Sequence, residues 1–422
     1  MSAETVTTAT SAPGPAPAAP VSRARRYRLL LFVALGLVVL SAVRVIAGAN
    51  DLTSSGTISA ALGLAVPIGM AGLGGLWAER AGVVNIGLEG MMILGTFGAG
   101  WIGWQHGPWA GLVAAVLFGA VGGLVHAIAT VTFGVDHIVS GVAINIMGLG
   151  LTQFLASELL AGTPGGGESQ SPQIGDLPNP SLPGADALLG PIERTHWFLV
   201  SDVAGILRGL TTSVPILAVL AVLLVIGSYV VLWQTPFGLR LRSCGEDPYA
   251  AESLGVKVYL YKYVAVLVSG ALAGFGGAFL AITAAGIYRE GQTGGRGYIG
   301  LAAMIFGNWR PGGLVAGAGL FGYTDAMQLR NAAAVHALLL LLFALLLALA
   351  VRSAVQRSWV AAGVGLVTSL GSLYWYLNTD TLPSQVTFMA PYLTTLLVLA
   401  LASQRLRMPA SDGLTYRKGG ER

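Results

Sequence analysis

Glu89 and Asn85 stand four residues apart in the run ERAGVVNIGLEGMM, residues 79–92, inside an otherwise apolar stretch. On a helix continuous from Val83 they share one face, and Glu89 falls about 9 Å into the membrane at roughly 1.5 Å of rise per residue. A carboxylate at that depth is expensive and by default faces a cavity, a partner or a transport path. Two chemistries suit it: accepting hydrogen bonds from the hydroxyls of a polar solute, or taking up a proton that drives transport. The structural alternative is a pairing with Arg80 or a neighbouring span that holds helices together. Gly87 and Gly90 allow an irregular or closely packed backbone, which is tolerated at depth only where it lines protein or water.

His137, Gly141 and Asn145 recur every four residues and form a second polar stripe, while His126 and Asp325 sit within apolar runs. Lining a path competes with satisfying an interhelical hydrogen bond at each of them. His126 reads as a satisfied core histidine. His137, Asn145 and Asp325 join Asn85 and Glu89 as candidate path residues.

Other chemistry has little to stand on. Cys244 is the single cysteine, stands apart from any metal-ligand spacing, and reads as a small reduced residue. No H-E-x-x-H or G-x-S-x-G occurs. The three lysines, Lys257, Lys262 and Lys418, follow Val, Tyr and Arg, so no phosphate-cradling G-x-x-x-x-G-K-[ST] loop is possible. No metal or cofactor is expected on this chain, and ATP with its Mg would have to be bound by a partner ATPase. Nucleic-acid binding has no support.

The elements that position these residues follow from composition. Of 422 residues, 54% are hydrophobic and 10% charged, with 60 glycines; soluble domains carry about 25% charged residues and roughly 7% glycine. Small residues let membrane helices pack closely, so an all-α polytopic membrane protein is expected. Apolar runs of spanning length, about 20 residues, occur at 29–48, 58–77, 83–104, 108–133, 138–161, 213–233, 264–285, 334–351, 359–377 and 386–402. Between them, 298–307 and 314–329 flank the interrupting NWRPGG at 308–313. Reading these as two short spans leaves only Arg44, Arg194, Arg208, Arg289, Arg296 and Arg330 outside and the other 17 of 23 basic residues inside, as the positive-inside rule requires. About twelve spans result, with both termini cytoplasmic. The chain divides into a disordered cytoplasmic tail, 1–26; a transmembrane domain, 27–404; and a cytoplasmic tail, 405–422. Residues 162–212, rich in Gly, Pro, Ser and Asp, read as a long external loop.

The cytoplasmic loop 235–262 contains a short helix at 248–254, capped by Asp247 and Pro248 and ended by Gly255. Its small face, with Ala250 and Ala251, suits insertion into a groove of another protein better than a membrane surface. Further on, 291–322 combines GQTGGRG, the broken segment and the GxxxG pair Gly313–Gly317; paired short segments of this kind point to a transporter's midplane site.

The runs ERAGVVNIGLEGMM, VDHIVSGVAINIM, GLRLRSCGEDPYAAESLGV and GLAAMIFGNWRPGG occur in this order and resemble the nucleoside-type permeases of the ribose and branched-chain amino-acid permease superfamily. The likeness covers roughly 58–330 and resumes at 383–401. It implies a type II ABC importer permease fold in the bacterial plasma membrane, a homologous second permease subunit, a cytosolic ABC ATPase and an extracytoplasmic substrate-binding lipoprotein. It also implies a non-catalytic transport role and ATPase coupling through Arg242, Glu246, Asp247, Ala250, Ala251 and Gly255. The long N-terminal tail and an inserted pair of spans at 333–377 depart from the family pattern. A ribose-like sugar is the alternative solute, and a proton-coupled secondary transporter using Glu89 or Asp325 is the rival class.

Overall fold

The computed structural model describes residues 23–330, 332–380, 382–383, 385–386, 389 and 406–419. The expected span at 386–402 lies almost wholly outside the described residues, as do 1–22 of the expected disordered tail. Among the described residues the structure is helical, apart from isolated bridges at Gly167–Gln170 and Gln170–Arg289. In chain order the helices are α1 (Arg23–Ala47), α2 (Ser55–Arg80), α3 (Leu88–His106), α4 (Pro108–Ala127), α5 (His137–Leu159), α6 (Ala185–Glu193), α7 (Val200–Thr211), α8 (Ile216–Gln234), α9 (Pro236–Glu246), α10 (Pro248–Ser253), α11 (Val258–Ala278), α12 (Arg296–Phe306), α13 (Pro311–Arg330), α14 (Ala332–Val355) and α15 (Trp359–Asn378). α1 begins at Arg23, so the last residues of the expected tail are helical.

Local chemistry sets these boundaries. Asp136 caps α5 by accepting Ile138 N–H at 2.9 Å and Val139 N–H at 3.0 Å. Pro108 opens α4 behind Gly107 at φ +88°, where the missing proline N–H is one the helix could not have paired. α4 and α11 each end in π-helical turns, Ile128–Thr132 and Phe279–Ala284.

Seven helices among the described residues are long and apolar enough to cross a membrane; α2 and α11 are the most buried of them. α3 and α13, with 19 and 20 residues, also reach spanning length. Glycine brings the core helices together: a Cβ on Gly119 of α4 would meet Gly274 Cα of α11 at 2.7 Å. Facing outward, Ile138, Val142 and Ile146 of α5 and Val222, Ile226 and Val230 of α8 are exposed, as lipid contact requires. α14 and α15 pack on each other, with Ser372 Oγ donating to Leu339 O at 2.8 Å.

Two segments gain detail from the structure. Residues 162–212, expected as a long external loop, carry two helices. α7 is tied down where Asp202 pairs with Arg44 Nε at 2.7 Å and accepts from Thr53 and Ser41, and Glu193 of α6 accepts Ser55 N–H at 2.7 Å. The segment expected at 298–307 begins at Arg296 and has 11 residues. It is about 16 Å long, half of the roughly 30 Å hydrocarbon thickness. α13 then crosses the bundle: its first turn follows Arg310, while Tyr323 donates to Leu52 O at 2.8 Å near the opposite end.

Candidate functional site

The chain is not helical between α2 and α3. Gly82 stands at φ +79°, and Val83 to Gly87 run as loop and turn before α3 begins at Leu88. Asn85 and Glu89 therefore do not share a helix face, which corrects the continuous-helix reading; two glycines and an asparagine supply the break. Unpaired backbone groups in an apolar interior cost about 1–3 kcal/mol each, and here polar side chains pair them. His126 Nε2 lies 3.0 Å from Val84 O and its Nδ1 lies 2.9 Å from Ser140 Oγ. His137 Nδ1 accepts Val84 N–H at 3.2 Å. Asn145 donates to Ile86 O at 3.0 Å and accepts Gly90 N–H at 2.8 Å. Asn85 accepts Gly87 N–H at 3.0 Å and donates to Ser269 Oγ of α11 at 2.8 Å. The stripe His137, Asn145 is real, and its polar atoms clamp the α2–α3 break.

Glu89 opens α3 and reaches across to α12. Its Oε1 accepts Gly295 N–H at 2.9 Å and its Oε2 accepts Gly297 N–H at 2.7 Å. Neither Arg80 nor a solute is needed to satisfy it. Arg80 instead donates to Trp309 O, at 2.6 Å from Nη2. A Cβ on Gly297 would come within 2.6 Å of Glu89 Cα, so this close approach requires glycine. The neighbouring Arg296 pairs with Asp325 of α13 at 3.3 Å, which places Asp325 one residue from the Glu89 contacts. The five expected path residues thus converge: four hold the α2–α3 break or what it touches, and Asp325 braces the start of α12. Tyr298, 47% exposed, sits on α12 near Asn145. It was missed because a lone tyrosine in an apolar run carries no positional signal. Arg296 was noted only as an outside charge.

At the other end of α12, Asn308 and Trp309 stand consecutively at φ +53° and +51°, a costly backbone for non-glycine residues. The turn is held from α2: Trp309 Nε1 donates to Glu79 Oε2 at 2.5 Å while its carbonyl takes the Arg80 guanidinium.

The α9–α10 segment lies at this same end. Asp247 caps α10, accepting Tyr249 N–H at 3.1 Å and Ala250 N–H at 3.0 Å, and Gly255 at φ +80° ends it. Ala250 is exposed, Leu254 is 85% exposed, and Ala251 is buried with Cys244, Val258 and Tyr416. Ala251 is thus removed from the expected outer face, because residue 416 folds back over it. Arg242 Nε donates to Leu232 O at 2.9 Å, and Glu246 accepts Ala410 N–H at 3.3 Å; both are engaged within the chain. Burial pushes the Cys244 thiol up to about 11, which keeps it protonated and inert. Among the described residues no group of His, Cys, Asp and Glu could hold a metal ion.

Fold and site together define a polytopic helical membrane protein whose core holds a broken helix connection clamped to a half-length helix. The chain belongs to the family described as branched-chain amino acid transport system / permease component, which matches residues 57–351. It is a transport permease subunit rather than an enzyme. It is 33% identical over 369 residues to the guanosine ABC transporter permease protein NupQ of Bacillus subtilis (strain 168), covering 86% of this chain and 96% of that protein. It is 34% identical over 361 residues to the nucleoside ABC transporter permease protein NupC of Lactococcus lactis subsp. cremoris (strain MG1363), covering 83% and 93%. The putative glucose ABC transporter permease protein TsgC13 of Haloferax volcanii is 34% identical over 279 residues, covering 66% of this chain and 78% of that one. No solved structure matches.

Proposed function

We infer that this chain is the membrane-spanning permease subunit of an ABC importer for nucleosides. It would work with a second permease chain, a cytosolic ATPase that binds ATP and Mg, and a binding lipoprotein on the outer face. The observation that carries the reading is near full-length similarity to two permeases named for guanosine and nucleoside. The site favours an ATP-driven transporter over proton coupling, since both Glu89 oxygens accept backbone N–H groups. The half-length α12 beside an exposed Tyr298 suits an uncharged solute carrying hydroxyls and a flat ring.

The end bearing Arg80, Arg242, Arg310 and Arg407 is assigned to the cytoplasm, by the positive-inside rule. On it, Ala250, Leu254 and Lys257 form the outward side of α10 and its cap, the surface assigned to ATPase coupling. Reconstituted uptake of labelled guanosine, measured with and without ATP inside the vesicles, tests the function. Uptake driven by a pH gradient in the absence of any ATPase would overturn it.

A further inference from the structure

Residues 406–419 form a strap across the end of the bundle that carries α9 and α10. Arg407 N–H donates to Asn308 Oδ1 at 2.7 Å, fixing the strap to the turn between α12 and α13. Ser411 N–H donates to Gly245 O and its hydroxyl to Glu246 O, both at 2.9 Å. Asp412 is inserted beside Glu79. The Tyr416 ring then packs against Tyr249 and Tyr259, with centroids 5.2 and 5.4 Å away. The strap is seated through Ser411, Asp412 and Tyr416, all buried, while the residues between them face outward.

That outward side carries apolar groups where no lipid is expected. Met408 is 58% exposed and Leu414 60%, and Leu254 of the α10 cap is 85% exposed. Arg407 and Met408 also wall a recess of about 400 Å³ shared with Arg80, Glu246, Asn308 and Arg310. Exposed apolar side chains beside a largely basic recess, on a strap whose Tyr416 packs against Tyr249 of α10, are a docking pattern, since such patches mark interaction sites and basic hollows receive acidic side chains.

We propose that residues 406–419 are part of the surface on which the ATPase subunit docks, Met408 and Leu414 making apolar contacts and the Arg310–Arg407 recess receiving an acidic side chain. This rests on the assignment of α10 to ATPase coupling. The ATPase therefore grips two pieces of chain at once, and the strap joins its contact to the α12–α13 turn through Asn308.

Leu414→Asp and Met408→Asp are tested in the permease–ATPase complex beside Leu254→Asp. Each is expected to insert in the membrane at parental levels, to retain at least fivefold less ATPase on purification, and to lose substrate-stimulated hydrolysis. Independently of folding, Leu414→Cys in a Cys244→Ser background, labelled with benzophenone maleimide, is expected to photo-cross-link to the ATPase. Parental ATPase retention in both strap variants with no cross-link, while Leu254→Asp loses the ATPase, overturns the strap proposal and leaves the α10 assignment standing. Parental retention in all three overturns both.

Discussion

Glu89 and Gly297 touch across 208 residues of sequence, Oε2 accepting the glycine N–H at 2.7 Å. The contact leaves no room for a side chain at position 297. Gly297→Ala is expected to force α12 off its anchor and abolish uptake while the protein still inserts. Glu89→Gln replaces one acceptor oxygen with an NH2 facing a backbone N–H, and hydrogen bonds to charged groups contribute about 1.5–3 kcal/mol. A lowered Tm with strongly reduced uptake is the expected outcome; parental values of both would remove Glu89 from its anchoring role.

Asn145 pairs two backbone groups of the α2–α3 break, Gly90 N–H and Ile86 O. Asn145→Ala strands both, at about 1–3 kcal/mol each. Thermal denaturation in detergent should show the loss. An unchanged Tm would mean that the break is held by other groups.

Much of this was legible in the sequence and some was not. The polar stripe His137–Asn145, the cap Asp247–Pro248 and the terminator Gly255 are local patterns, and local geometry reads directly from residue type and spacing. Glu89 was singled out correctly as a buried carboxylate, but its partners Gly295 and Gly297 are backbone N–H groups, which every residue carries and no spacing reveals. Ala251 was placed on the outer face because its helix alone presents it there; only tertiary contact with Tyr416 covers it. The strap's buried Ser411, Asp412 and Tyr416 lie in a polar tail with no periodicity to announce them.

Tyr298 provides a test of the path. Tyr298→Ala is expected to raise the KM for guanosine uptake with little change in the amount of permease in the membrane, whereas Tyr298→Phe keeps the ring and loses only the hydroxyl. Equal behaviour of the two variants would argue that the ring does not meet the solute.

Burial pushes the Asp412 carboxyl up to about 7 from its ordinary 3.8; Glu79 and Arg80 of α2 and Lys262 of α11 face it. A docked strap therefore holds a proton that a released strap gives up between about pH 4 and 7. Raising pH through that window weakens docking, and above it the loss is complete. Cys244, buried in a cluster with Tyr416, reports the opening: its maleimide labelling, corrected for thiolate fraction in the unfolded protein, should accelerate from pH 5 to 8. Asp412→Asn should flatten the profile. A parental profile in that variant would show that Asp412 is not the titrating group.

Topology is checked with single cysteines in a Cys244→Ser background. Positions 356 and 415 are expected to label from one side of the membrane and position 195 from the other. Labelling of 356 from the same side as 195 would refute the pairing of α12 and α13 as a descent and a return.

Two helix starts meet at Glu89: α3 begins one residue before it, and α12 begins where its oxygens bind. Each start carries roughly half a positive elementary charge, so two of them offset one carboxylate. The three form a group with almost no net charge, held in the membrane without a lysine or arginine as counter-ion. A solute that passed such a group would meet local dipoles and no monopole. The protein thereby keeps a carboxylate in its interior without a long-range field around it.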